Sequence, residues 1–311
     1  MSAPRMKVKV GGLELANPVL AASGTFGYGR EYSPYLAPGA IGGLVTKGVS
    51  LRPRQGNPPP RIVETACGML NAIGLANVGV EEFIKDKLPW LAQQPAAVVV
   101  NLYGESEDEF AELAGRLGGQ PGVDALELNV SCPNVKAGGM AFGCDAGAVG
   151  RVTAAAKAAA GATPVWVKLT PNVAEPTPMA LAAAQAGASA VCLINTLLAL
   201  AIDARTRRPR LANVVGGLSG PAIKPVGLRM VWQAAAALRR AHPQVDVVGI
   251  GGIMSGVDAA EYMIAGARAV QVGTASFTEP GAAGRVAAEL AAFCAEQNLT
   301  EVNELVASLQ T

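Results

Sequence analysis

The chain of 311 residues is half apolar and has a formal net charge of +1, which excludes the broad basic surface a nucleic-acid partner needs. Its five cysteines (Cys67, Cys132, Cys144, Cys192 and Cys294) lack the paired spacings of zinc or iron–sulfur sites, and the single histidine, His242, cannot build a His-rich centre, so no metal is expected. An odd cysteine count, with no basic region followed by an apolar core at the N-terminus, points to a reducing, cytoplasmic setting.

Along the chain, residues 7–10 and 13–15 flank Gly11-Gly12, a hairpin signal expected to cover the N-terminal end of the fold. Eight short strand-like runs follow, at 19–23, 44–47, 97–102, 125–130, 165–169, 190–195, 245–250 and 269–272. Several are apolar at consecutive positions, as parallel strands covered on both faces require. Helix-like segments lie between them at 106–117, 147–160, 178–186, 228–241 and 257–265. Gly118, Gly161, Gly187 and Gly266 follow these segments and are expected as left-handed C-terminal caps. Residues 179–202 approach bilayer-spanning length, yet Gln185, Gly187, Ser189, Asn195 and Thr196 interrupt them. A helix, a glycine turn and a buried strand explain that stretch, and no membrane span is read.

Eight βα units in a chain of this length fit a closed (β/α)8 barrel, the TIM barrel, as one domain over residues 1–311. The rival is a doubly wound open sheet, which wants a G-x-G-x-x-G turn that residues 23–29 do not supply. Residues 52–60 and 205–220 read as long βα loops over the C-terminal face, and the arginines at 205–210 as a solvated part of the second.

In such a barrel the C-terminal strand ends converge on one site. Here they carry Ser23-Gly24, Lys47-Gly48, Asn101, Asn129 with Cys132, Lys168, Asn195-Thr196, Gly251-Gly252 and Gly273-Thr274. Paired acids for glycoside hydrolysis and a Ser-His-Asp set are both missing. Carboxamides donate and accept together, which suits a planar ligand edged with C=O and N–H groups, such as a flavin or a pyrimidine. The glycines after the seventh and eighth strands let backbone amides approach an anion where barrels commonly bind phosphate. Lys47 and Lys168 either reach solvent past the rim or stabilise charge on a flavin and on a substrate carboxylate. Glu127, inside its strand, is given no role. Cys132, between Asn129 and Asn134 and just before Pro133, is the candidate general base. Cys192 and Cys294 read as core, whereas Cys67 and Cys144 sit in glycine-flanked loops that could be near the site without acting in it.

These residues resemble the class 1 dihydroorotate dehydrogenases over almost the whole chain. The resemblance rests on Ala22-Ser23-Gly24-Thr25-Phe26-Gly27, Thr46-Lys47-Gly48, Asn71-Ala72-Ile73-Gly74-Leu75, Asn129-Val130-Ser131-Cys132-Pro133-Asn134 and Val272-Gly273-Thr274-Ala275. A cysteine in the base position marks class 1, and residues 24–29 and 68–75 are most similar to the NAD-linked 1B branch. One departure is Ala66-Cys67, where that branch often has Pro-Ala.

The resemblance implies one FMN per chain, held by Ser23, Lys47, Gly48, Asn101, Asn129, Lys168, Ile194, Gly220, Gly251, Gly252, Gly273 and Thr274. It implies dihydroorotate bound by Lys47, Asn71, Ala72, Ile73, Gly74, Leu75, Asn129, Asn134, Asn195 and Thr196. Cys132 takes a proton from the dihydropyrimidine, and residues 135–145 close over the ring. The product is orotate, in the de novo route to UMP. It further implies a homodimer and an electron-transfer subunit carrying FAD and a 2Fe–2S cluster, together a heterotetramer that reduces NAD+. Two alternatives stay open: a fumarate-linked class 1A enzyme, and a non-catalytic flavin- or phosphate-binding barrel.

Overall fold

The computed structural model describes residues 3–131 and 142–310. Cys132, Asn134 and most of the loop expected to close over the ring therefore lie outside the described residues.

Eight parallel strands form a closed barrel: β1 (Val19–Ala21), β2 (Gly43–Val45), β3 (Ala97–Leu102), β4 (Ala125–Asn129), β5 (Val165–Lys168), β6 (Ala190–Leu193), β7 (Asp246–Ile250) and β8 (Ala269–Val272). Each pairs with the next in sequence, and β8 returns to β1 through Val270↔Val19 and Val272↔Ala21. This is the expected (β/α)8 barrel. Several strands stop a residue or more short of the expected runs, because Ser23, Lys47 and Asn195 leave the ladder and turn into the loops.

The helices pack outside the barrel, and Glu107–Leu117 shows how the sequence builds them. The Ser106 hydroxyl accepts from Glu109 N at 3.2 Å, capping the first turn, and Glu107, Asp108 and Glu109 favour its positive end. Phe110, Leu113, Ala114 and Leu117 recur on one face and are buried against the strands. Its cap differs from expectation. Gly118 has φ −60°, and Gly119 takes the left-handed conformation at φ 75°, one residue later. Gly118 is still sterically required, because a Cβ there would lie 2.7 Å from the Ala160 carbonyl oxygen.

The predicted hairpin forms from Val8–Val10 and Leu13–Leu15 and plugs the N-terminal end of the barrel. Gly11 O accepts from the Trp166 indole at 2.8 Å, and Gly11 N donates to Asp246 at 2.8 Å. Both partners sit at the starts of their strands, β5 and β7.

The opposite end departs from expectation. Residues 205–220 are not simply a loop: Val215–Ser219 is a strand, and Arg208–Pro209 pairs with Ile202–Asp203. Val215–Ser219 joins Leu197–Leu200, Gly68–Asn71 and Ile62–Thr65 in a four-stranded antiparallel sheet. Its strands come from the β2–β3 and β6–β7 connections, so two distant insertions pair across the barrel mouth. Residues 179–202 resolve into the helix Thr177–Gln185, a turn at Gly187, β6 and the first of these mouth strands. Among the described residues, no helix is long and apolar enough to cross a membrane.

Gly11 tests the plug. It has φ 52°, and a Cβ there would stand 2.7 Å from the Trp166 ring carbon Cε2 and closer still to its nitrogen. Gly11→Val is expected to lower the unfolding free energy by about 1–3 kcal/mol or more through overpacking, read as a lower denaturant midpoint at an unchanged slope.

Candidate active site

A cavity of about 650 Å³ opens at the C-terminal end of the barrel, beneath the mouth sheet. That volume suits a small-molecule or cofactor site. The strand ends contribute Ser23, Lys47, Gly48, Asn101, Asn129, Lys168, Gly251, Gly252, Gly273 and Thr274 to its wall. Ile194, Asn195 and Thr196 follow β6, and the mouth-sheet insertions add Asn71, Ala72, Ile73, Gly74, Leu75 and Gly220. Every expected site residue within the described regions thus lines one cavity. Cys132 and Asn134 lie outside those regions, but Ser131, bonded to Cys132, lines the wall.

The carboxamides are held in defined orientations. Asn129 Oδ1 accepts from the Ser131 hydroxyl at 2.6 Å and from Asn195 Nδ2 at 3.4 Å. Asn195 Nδ2 also donates to the Ser131 hydroxyl. With its oxygen engaged inside the protein, Asn129 keeps its amide N–H groups for a ligand. Asn71 Nδ2 donates to Gly217 O at 3.2 Å, tying the first mouth insertion to the second. Asn172 holds the segment after β6 by donating to Thr196 O at 3.1 Å and accepting from Leu198 N at 2.8 Å.

Beneath these groups lies a buried polar layer. Asn101 on β3 and Glu127 on β4 are fully buried, and Lys168 on β5 is 5 % exposed. Glu127 accepts from Asn101 Nδ2 at 2.8 Å and from Gln271 Nε2, on β8, at 2.7 Å. The Lys168 ammonium stands 4.0 Å from the same carboxylate. Cys192, on β6, touches this layer; burial first, and then the Glu127 charge, push its thiol well above the ordinary range. It stays a protonated core thiol, as expected. At the rim, desolvation lowers the Lys47 ammonium below its ordinary value, Arg61 lowers it further and Glu31 opposes both.

Two features fit a planar ligand carrying a phosphate. The Asn101 carboxamide oxygen is buried without a hydrogen-bond partner among the described residues, and it lies 2.9 Å from where a Cβ on Gly48 would sit. A buried acceptor of this kind requires a donor. At the other end, a Cβ on Gly273 would meet nothing closer than 3.5 Å, so neighbouring protein atoms do not demand glycine there. The added carbon would instead occupy space at the cavity wall, where a ligand must approach the backbone. The buried ammonium of Lys168 adds a fixed positive charge. The donor set therefore fits FMN.

Sequence reasoning missed several residues. Ser131 and Arg61 line the cavity without having been assigned, and Asn172 supports it from behind. Glu127, given no role, is the acceptor at the centre of the buried layer. Strand alternation could have placed it, because residues two apart share a face and Asn129 already pointed into the mouth. Cys67 and Cys144 are exposed and line no part of the cavity.

A barrel mouth that joins close-approach glycines, a buried lysine and oriented carboxamides defines an α/β-barrel protein shaped for a planar, phosphate-bearing ligand. Comparison with known proteins narrows that class. The family described as dihydroorotate dehydrogenase matches residues 5–294. The chain is 54% identical over 310 residues to the dihydroorotate dehydrogenase B (NAD(+)), catalytic subunit, of Geobacter sulfurreducens, covering 100% of both. It is 54% identical over 307 residues to the protein of that name from Pelobacter propionicus, covering 99% of each. The chain belongs to the dihydroorotate dehydrogenase family.

The environment of Lys47 makes a signed prediction. Followed by NMR of labelled lysine side chains, Lys47 should lose its proton below the ordinary lysine value. Arg61→Ala removes a repelling charge and should raise that midpoint. Glu31→Gln removes an attracting charge and should lower it.

Proposed function

We propose that this chain is the catalytic subunit of an NAD-linked dihydroorotate dehydrogenase, oxidising dihydroorotate to orotate in pyrimidine biosynthesis. The observation that carries the reading is the single cavity that gathers Lys47, Lys168 and four oriented asparagines, Asn71, Asn101, Asn129 and Asn195, in a chain related to such enzymes over its full length.

Bound FMN supplies the hydride acceptor. Gly251, Gly252, Gly273 and Thr274 would hold its phosphate through backbone amides, with Gly220 alongside. Lys168 and Asn101 would meet the pyrimidine edge of its ring, and Ser23, Gly48 and Ile194 would complete the pocket. Lys47 would meet the carboxylate of dihydroorotate. Asn71, Asn129, Asn195 and Asn134 would donate to and accept from its ring amides, while residues 72–75 and Thr196 shape the pocket around it. Cys132 would act as the base that takes the proton from C5 of dihydroorotate, the C6 hydrogen being the hydride such a flavin would accept. Held beneath the mouth sheet, the ring reacts away from bulk water.

The electron route beyond this chain belongs to the same proposal. A partner subunit carrying FAD and a 2Fe–2S cluster would deliver the electrons to NAD+. The complex would be a heterotetramer built on a homodimer of this chain, working in the cytoplasm.

Anaerobic mixing of the purified yellow protein with dihydroorotate tests the chemistry: flavin absorbance should bleach. Cys132→Ala should bind orotate and bleach slower by about two to four orders of magnitude, the usual contribution of a general base. A yellow protein that dihydroorotate leaves unbleached is a binding barrel and not this enzyme. The acceptor is tested separately: the chain alone should turn over poorly with fumarate, and NAD+ reduction should appear only with the partner subunit. Fast fumarate turnover by the chain alone overturns the NAD-linked assignment.

A further inference from the structure

Glu127 presents a physical problem that the reaction above does not use. A carboxylate in the middle of β4, fully buried, would be expected to take up a proton or unfold the chain unless it is compensated. Here both oxygens are occupied: Oε1 by Asn101 Nδ2 at 2.8 Å and Oε2 by Gln271 Nε2 at 2.7 Å. The only positive charge paired with it among the described residues is Lys168, with Nζ 4.0 Å from Oε1. At that separation the charges attract, yet Lys168 Nζ forms no hydrogen bond among the described residues. Its three N–H donors are left to face the cavity it lines. The buried ammonium is charge-balanced without being consumed.

We propose that Glu127 is a positioning residue: a buried counter-charge that balances the Lys168 ammonium and fixes the Asn101 carboxamide, so that both meet the flavin. The inference rests on the FMN reading above. The other groups facing Lys168 do not replace Glu127. On β6, Cys192 is a protonated thiol, on β3 and β8 the facing groups are neutral amides, and at the rim Lys47 and Arg61 are cations. Among the described residues paired with Lys168, Glu127 alone supplies negative charge.

The test is the FMN midpoint potential at one pH, for wild type, Glu127→Gln, Lys168→Met and the double variant. Without Glu127 the Lys168 ammonium is unopposed, and Glu127→Gln should bind reduced relative to oxidised FMN about tenfold more tightly than wild type, about 30 mV for a two-electron couple. Equal potentials of wild type and Glu127→Gln overturn the proposal. Lys168→Met provides an independent reading should Glu127→Gln fail to fold. It leaves the Glu127 carboxylate unopposed, and its potential should lie below that of the double variant. Equal potentials of those two variants overturn the proposal. A wild-type chain that binds no FMN overturns both this inference and the functional reading beneath it.

Discussion

Closure of the hydrogen-bonded ladder between β8 and β1 is the constraint on which the molecule depends. An open sheet of the same strands would leave two unpaired edges and spread its strand ends along a line. Closing it, through Val270↔Val19 and Val272↔Ala21, brings eight strand ends around one opening. Lys47, Asn101, Asn129, Lys168 and the glycines after β7 and β8 are far apart in sequence. They share a cavity because the ladder has no free edge.

Closure also creates an interior, and here that interior is not uniformly apolar. Asn101, Glu127, Lys168, Cys192 and Gln271 come from five strands and meet at one level. Strand registers hold them there: Asn101 lies opposite Glu127, and Cys192 opposite Lys168. Burying such a layer is unfavourable unless its donors and acceptors are matched. Most are; among the described residues the carboxamide oxygens of Asn101 and Gln271 are buried without a partner, and of the two residues Asn101 lines the cavity. Part of the deficit therefore sits beside the space a ligand can occupy. A layer placed to stabilise the barrel alone would have closed on itself, or an apolar layer would have served as well.

The barrel was legible in the sequence because parallel strands buried on both faces leave consecutive apolar runs, as in Val98-Val99-Val100 and Val191-Cys192-Leu193. Its strand ends were legible because Lys, Asn and Gly interrupt those runs. The mouth sheet was not. In Leu197–Leu200, Leu198 and Leu200 are exposed, so their apolar pattern does not report burial. In Val215–Ser219, Gly216 and Gly217 resemble loop residues. They are glycine because Cβ atoms there would lie 2.8 Å from Asn71 O and even nearer Thr196 Oγ1, respectively. Those contacts come from residues about 20 and 145 positions away in the chain, and no local pattern announces them. Glu127 was hidden differently: its alternation with Asn129 was readable, but its partners on β3 and β8 appear only once the barrel closes.

The mouth sheet also separates two tasks that share the cavity. Barrel strand ends provide the groups proposed to hold the cofactor, including the buried Lys168 and the glycines after β7 and β8. The insertions provide Asn71 to Leu75, and their placement depends on backbone pairing between segments about 150 residues apart, such as Asn71 with Gly217. Asn71 Nδ2 donates to that same Gly217 O, so a cavity-lining side chain and the sheet register are fixed by one residue pair. A change in either insertion that slips this register moves Asn71 and its neighbours together, while leaving the buried layer on β3, β4, β5 and β8 in place. Under the proposed function, substrate fit and cofactor electronics can therefore vary independently in this architecture, although the two ligands would share one cavity.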